Sequence, residues 1–140
     1  MSPRPRGRTQ RCDATEARFR LARALAFLEV ADILGSPDEE DDPDIFNVAA
    51  ALAVLAGIAA ADAACCKALG QRSRGADHHD AEALLSKLDG ANASVAALRR
   101  LINMKDEAHY GFHGVNRQQM RTSITQARRV VAFAQTVLAR

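Results

Sequence analysis

Apolar residues recur through most of this 140-residue chain at steps of three and four, the repeat of an α-helix. The pattern predicts five helices. The first runs from about Ala14 to Leu34, with Asp13 or Thr15 as its cap and Gly35 as its stop. Phe19, Ala22, Ala26, Glu29, Val30 and Ile33, with Leu21, Leu25 and Leu28, give it a broad apolar face. The second starts at Pro43 to Asp44, where a proline suits a first helical turn, and runs to Leu69 with Gly70 as its C-cap. From Val48 to Cys66 it is apolar on nearly every side, which marks it as the central helix.

The third expected helix is capped by Asp77 and continues through Ala81, Leu84, Leu85 and Leu88 until Asp89 and Gly90 break it. The fourth runs from Ser94 to about Tyr110, where Gly111 and Gly114 end it. The fifth begins after Asn116, with a seam of Met120, Ile124, Ala127, Val131, Ala134 and Leu138. The short connections after the second, third and fourth helices predict antiparallel neighbours. There is no strand-like alternation and no internal repeat. The fold class is therefore all-α: an up-and-down bundle of about five helices, a single domain over residues 13–140.

Composition refines this picture. Hydrophobic residues make up 48% but aromatics only 4%, with no Trp, so Ala, Leu, Val and Ile fill the core and helices can approach closely. The formal net charge of +2 does not by itself argue for a nucleic-acid partner, but the charges are unevenly placed. Arg4, Arg6, Arg8 and Arg11 make residues 1–12 a basic arm, expected to be disordered, either solvated or seeking phosphate. The loop at 36–44 carries six acids and two prolines and reads as a solvated linker; it lacks the glycine and terminal glutamate of an EF-hand.

Cys12, Cys65 and Cys66 form no regular spacing, and neighbours on one helix diverge by about 100°. They read as free thiols, which fits a reducing cytoplasm. No signal-peptide pattern follows the basic N-terminus, and the stretch from Ile45 to Ala61 reads as a buried helix rather than a membrane span. Within the central helix, Asp62 needs either a cationic partner from another segment or a wetter edge.

Chemistry-bearing side chains gather in two places. The first is 99–114, with Arg99, Arg100, Lys105, Asp106, His109, Tyr110 and His113. The second is 71–80, with Arg72, Arg74, His78 and His79. His109 and His113 stand four apart, as metal-binding pairs do, but Gly111 lies between them and no third ligand is fixed by spacing, so no metal or other cofactor is assigned. There is no nucleophile elbow and no phosphate-cradling glycine loop. Metal-free RNA cleavage asks for less: a base with a near-neutral pKa and a fixed cation beside the phosphate. His109 or His78 can be that base, and Lys105, Arg72, Arg74, Arg99 or Arg100 that cation. The plainer role for His109 is to cap carbonyls at its helix end.

A compact bundle with Lys105-Asp-Glu-Ala-His-Tyr-Gly111 closing its penultimate helix, preceded by Gly70-Gln-Arg-Ser-Arg-Gly-Ala-Asp-His78, resembles the HEPN superfamily of small helical domains. Members often carry Arg, a polar residue, a short gap and His. Arg72 to His78 and Arg74 to His79 meet that spacing; before His109 the window holds Lys105 and Asp106 instead of an Arg. The resemblance implies a cytoplasmic, dimeric protein acting on RNA or nucleotides, as a metal-independent endoribonuclease of toxin–antitoxin or phage-defence type with an antitoxin or other protein partner. It equally implies the alternative of a non-catalytic interaction or nucleotide-binding module. For a nuclease, His109, Lys105, Arg72 and His78 are the expected catalytic residues, and Arg74, Asp106, Tyr110, Arg99 and Arg100 the binding ones.

Overall fold

The structure, a computed structural model, describes residues 8–36, 41–74, 78–110 and 114–140, without the side chains of 106–110. Among them are five helices and one two-stranded sheet. Helix α1 (Ala14–Leu34) starts where the Asp13 carboxylate accepts the Glu16 N–H, satisfying a donor that the first turn leaves open. Helix α2 (Pro43–Leu69) is capped by Asp42, carries Pro43 in its first turn, and ends at Gly70 with φ +68°, a left-handed conformation that glycine adopts freely. Helix α3 (His79–Leu85) is short. Helix α4 (Asn92–Tyr110) and helix α5 (Arg117–Leu138) complete the bundle. Asn116 and Gln119 close a reciprocal capping box at the start of α5.

Helix α2 is the axis of the molecule. Fifteen of its residues are buried, nine of them alanines. Its small side chains let neighbours come close. A Cβ added at Gly57 would stand 2.4 Å from Leu101 Cδ1, so glycine is what lets α4 cross α2 there. Asn47, a polar exception on this apolar helix, accepts the Val115 N–H at 2.8 Å and ties the entry to α5 to the start of α2. Leu101 beside Gly57 and Val115 beside Asn47 show that α4 descends antiparallel to α2. The α5 seam is buried at Met120, Ile124, Ala127, Val131 and Ala134; Leu138 is half-buried.

Four expectations change. The basic arm does not run unstructured to residue 12: strand β1 (Thr9–Arg11) pairs antiparallel with strand β2 (Gln71–Ser73). These strands are three residues each, too short for alternation to show in a sequence. Cys12 and Cys66 form a disulfide, so only Cys65 remains a free, buried thiol. Helix α3 ends at Leu85, although Leu88 is still buried; its expected cap, Asp77, lies outside the described residues. In α1 the buried residues are Ala17, Ala24, Leu28 and Ala31, while Phe19, Ala22, Ala26, Val30 and Ile33 face outward.

The disulfide and the contact of Arg20 with Asp62 show that α1 and α2 also run antiparallel. One end of the bundle therefore carries the start of α1, the end of α2, the sheet and α3. The other carries the end of α1, the start of α2 and the end of α4. Helix α2 is apolar and long enough to cross a membrane, but most of it is buried among its neighbours.

Candidate functional site

At the sheet end, Ile58 and Asp62 of α2, Arg72, Ser73 and Arg74 from β2 and just beyond it, and His78 and Ala81 at the start of α3 line an open cleft of about 200 Å3. The sequence produces it in three steps. Gly70 turns the chain back at the end of α2, β1 holds the returning strand through Arg74 N–H donating to Arg8 C=O at 2.7 Å, and α3 starts just beyond. Strand pairing thus fixes the backbones of Arg72 and Arg74 beside the last turns of α2.

Asp62 forms the floor of this cleft. It is only 7% exposed, and Arg20 Nη1 stands 3.4 Å from its Oδ2. Of the two alternatives for this residue, the structure shows the cationic partner. Burial pushes its carboxyl up to about 6 from an ordinary 3.8, while the guanidiniums of Arg20 and then Arg72 pull it partway back. Arg72 donates from Nη2 to Gln10 Oε1 at 3.1 Å and from Nη1 to Ser73 C=O at 3.4 Å. Its Nε is buried without a hydrogen-bond partner. His78 precedes the first turn of α3 and is half-buried. Behind Asp62, Cys65 is an inert thiol: burial, reinforced by the Asp62 charge, pushes it up to about 12.

The other expected site residues lie elsewhere. Arg99 bonds to the buried Glu82 through Nε at 3.2 Å, and His79 Nδ1 is 2.9 Å from the other oxygen of the same carboxylate. This cluster pins α3 to α4. Arg100 is exposed beside a shallow recess with Asn103, Met104, Thr122, Ser123 and Gln126. Lys105 is half-buried on α4. Asp106, His109 and Tyr110 lie on the backbone of α4, their side chains outside the description, and His113 falls outside the described residues altogether. Because Leu101 is level with Gly57, Lys105 lies about 16 residues before the end of α2, roughly 24 Å along the bundle at 1.5 Å per residue. Within one chain, then, the cleft gathers Arg72, Arg74 and His78, while the Lys105 segment is at the far end.

Among the described residues no three His, Cys, Asp or Glu side chains come together as a metal site would need. Sequence reasoning did not single out Arg20 or Glu82. Arg20 is one of many arginines, and the only signal for it was the demand of Asp62 for a partner. A scan against protein-family models finds no match for the chain, and comparison with curated proteins finds none at a significant level.

Proposed function

We propose that the cleft at the sheet end is a phosphate seat, and that the protein is a HEPN-like binder of RNA or nucleotides. The carrying observation is the convergence of Arg72 and Arg74 with His78 over the Asp62 carboxyl. Its volume falls below the ~300 Å3 at which enclosed ligand pockets begin, so it suits one phosphate of a longer chain rather than an engulfed small molecule. Guanidiniums are the side chains best matched to phosphate oxygens.

The same groups support metal-free RNA cleavage. His78 takes the 2′-hydroxyl proton as that oxygen bonds to phosphorus, Arg72 and Arg74 hold the phosphate as charge develops, and the P–O5′ bond breaks with the leaving 5′-oxygen taking a proton from water. A second reading, a non-catalytic binding module, is favoured by the distance between this cleft and the Lys105 segment. The proposal keeps a toxin–antitoxin or defence setting with a protein partner. It also keeps a cytoplasmic location, against which the Cys12–Cys66 disulfide weighs, since a reducing compartment holds thiols apart.

Labelled single-stranded and hairpin RNA, incubated in EDTA with the wild type and with His78→Ala and His109→Ala, decides between them. Cleavage abolished by His78→Ala with binding retained identifies the nuclease. Binding without cleavage, weakened about tenfold by Arg72→Ala and with a salt slope smaller by about 1, identifies the module. RNA affinity unchanged by Arg72→Ala and by Arg74→Ala would end the phosphate reading.

A further inference from the structure

A second open recess, of about 230 Å3, lies between α1 and α2 and is lined by Glu16, Phe19, Arg20 and Arg23 of α1 and Ala59 of α2. It adjoins the phosphate seat. Ala59 lines the recess, while Ile58, its neighbour in sequence, and Asp62, one turn further on, line the seat. The Arg20–Asp62 pair joins the two, with Arg20 in the recess and Asp62 in the seat. Recess and seat therefore flank one strip of α2, about a helix diameter apart, ~10 Å. Phe19, in the recess, is the most exposed of the large apolar side chains described, at 71%. We propose that this recess is a base-stacking subsite, which takes one unpaired nucleobase of an RNA strand against the Phe19 ring while a neighbouring phosphate of the strand lies against Arg72 and Arg74. The proposal rests on the phosphate reading of the adjoining cleft and names the class of RNA that suits it, single strands.

Each lining group has a use in that arrangement. An exposed apolar side chain standing alone is ordinary on a protein surface. A bare aromatic ring sharing a recess with arginines, beside a seat for phosphate, is the combination on which single strands stack. Ala59 is small and leaves room beside the ring. Arg20 is held by Asp62 and serves as the wall between recess and seat rather than as a free cation. Arg23 makes no ion pair among the described residues, so its guanidinium remains for the phosphate on the far side of the base.

Glu16 decides what the recess holds. Its backbone N–H makes the cap bond with Asp13, and its side chain is left exposed. A carboxylate repels phosphate but accepts from the exocyclic amino group of a base, as it does from cytosine N4. The recess thus suits a base rather than a second phosphate. Glu16 favours cytosine over uracil, which carries a carbonyl where cytosine carries its amino group. A base within a duplex is stacked on both faces and its pairing edge is engaged, so stems do not enter.

Fluorescence anisotropy of the full chain with labelled 2′-O-methyl oligo(C) and oligo(U), which lack the hydroxyl that cleavage needs, tests the subsite. Phe19→Leu keeps the apolar bulk and removes the π-face; it should weaken oligo(C) binding about tenfold, whereas Phe19→Tyr should retain wild-type affinity. Because Phe19 is exposed, neither change touches the core, and helical circular dichroism should be unaltered. A blunt duplex of the same length should bind Phe19→Leu and wild type alike. Oligo(C) should bind about tenfold tighter than oligo(U), and Glu16→Gln, whose amide both donates and accepts, should remove that difference. Arg23→Ala should weaken both strands alike and lower the salt slope by about 1. Binding lowered by Arg72→Ala but untouched by Phe19→Leu would overturn the stacking subsite and leave the phosphate seat standing. Binding untouched by either would overturn both. Equal losses in Phe19→Leu and Phe19→Tyr, or a loss on duplex equal to that on single strands, would also overturn the subsite.

Discussion

Asp62 lies buried between the Arg20 guanidinium and the field of Arg72, and its proton affinity follows from that position. Its folded pKa of about 6 exceeds the ordinary 3.8, so the folded state prefers the protonated carboxyl. That preference contributes fully below pH 4 and is lost as pH rises to about 6; above that, keeping the charge buried costs roughly 3 kcal/mol. Asp62→Asn should therefore raise stability by ~1–3 kcal/mol at pH 8 and leave it nearly unchanged at pH 4, as read from urea midpoints. A variant less stable at pH 8 would show instead that the ion pair outweighs the burial. A residue kept at such a cost is a reasonable place to look for function. That it needs either a cation or a wetter edge was legible from one Asp in an apolar helix. Which arginine answers it was not, because the partner lies 42 residues away and on a different helix.

The helices were the legible elements. Asp13, Gly35, Pro43, Gly70 and Asn116 mark ends through local chemistry that needs no tertiary contact. Which side of α1 is buried was not legible, because a helix apolar on several sides has a period but no phase. The core took the alanines at 17, 24 and 31 with Leu28 and left Phe19 and Ile33 outside. The strands and the disulfide were hidden for another reason: both depend on the N-terminus meeting the end of α2, 54 residues apart between Cys12 and Cys66. Closing a loop of that length stabilises the fold by about 4 kcal/mol in the chain-entropy picture, and by 2–4 kcal/mol in typical cases. Cys12→Ser should therefore lower unfolding stability by ~2–4 kcal/mol. A reductant should do the same to the wild type and nothing further to the variant. A wild-type midpoint indifferent to reductant would remove the disulfide from the stability account.

Seen whole, the bundle has two chemically different ends, and the sequence could not sort its polar residues between them. Lys105 and Arg72 are 33 positions apart in number, yet the antiparallel run of α4 along α2 sets them at opposite ends. The sheet end also receives the start of the chain. Because Arg8 accepts the Arg74 N–H, Arg4 and Arg6 are joined to the rim of the cleft by at most four residues, a reach of ~14 Å. A phosphate chain held by Arg72 and Arg74 would thus meet two further guanidiniums as tethered groups, at an effective concentration in the millimolar range rather than as free competitors. Removing residues 1–7 should then weaken RNA binding about tenfold at low salt and reduce the salt slope by about 2, with the urea midpoint unmoved. The β1–β2 pairing would in that case act as a mooring that turns the arginines ahead of β1 into local avidity.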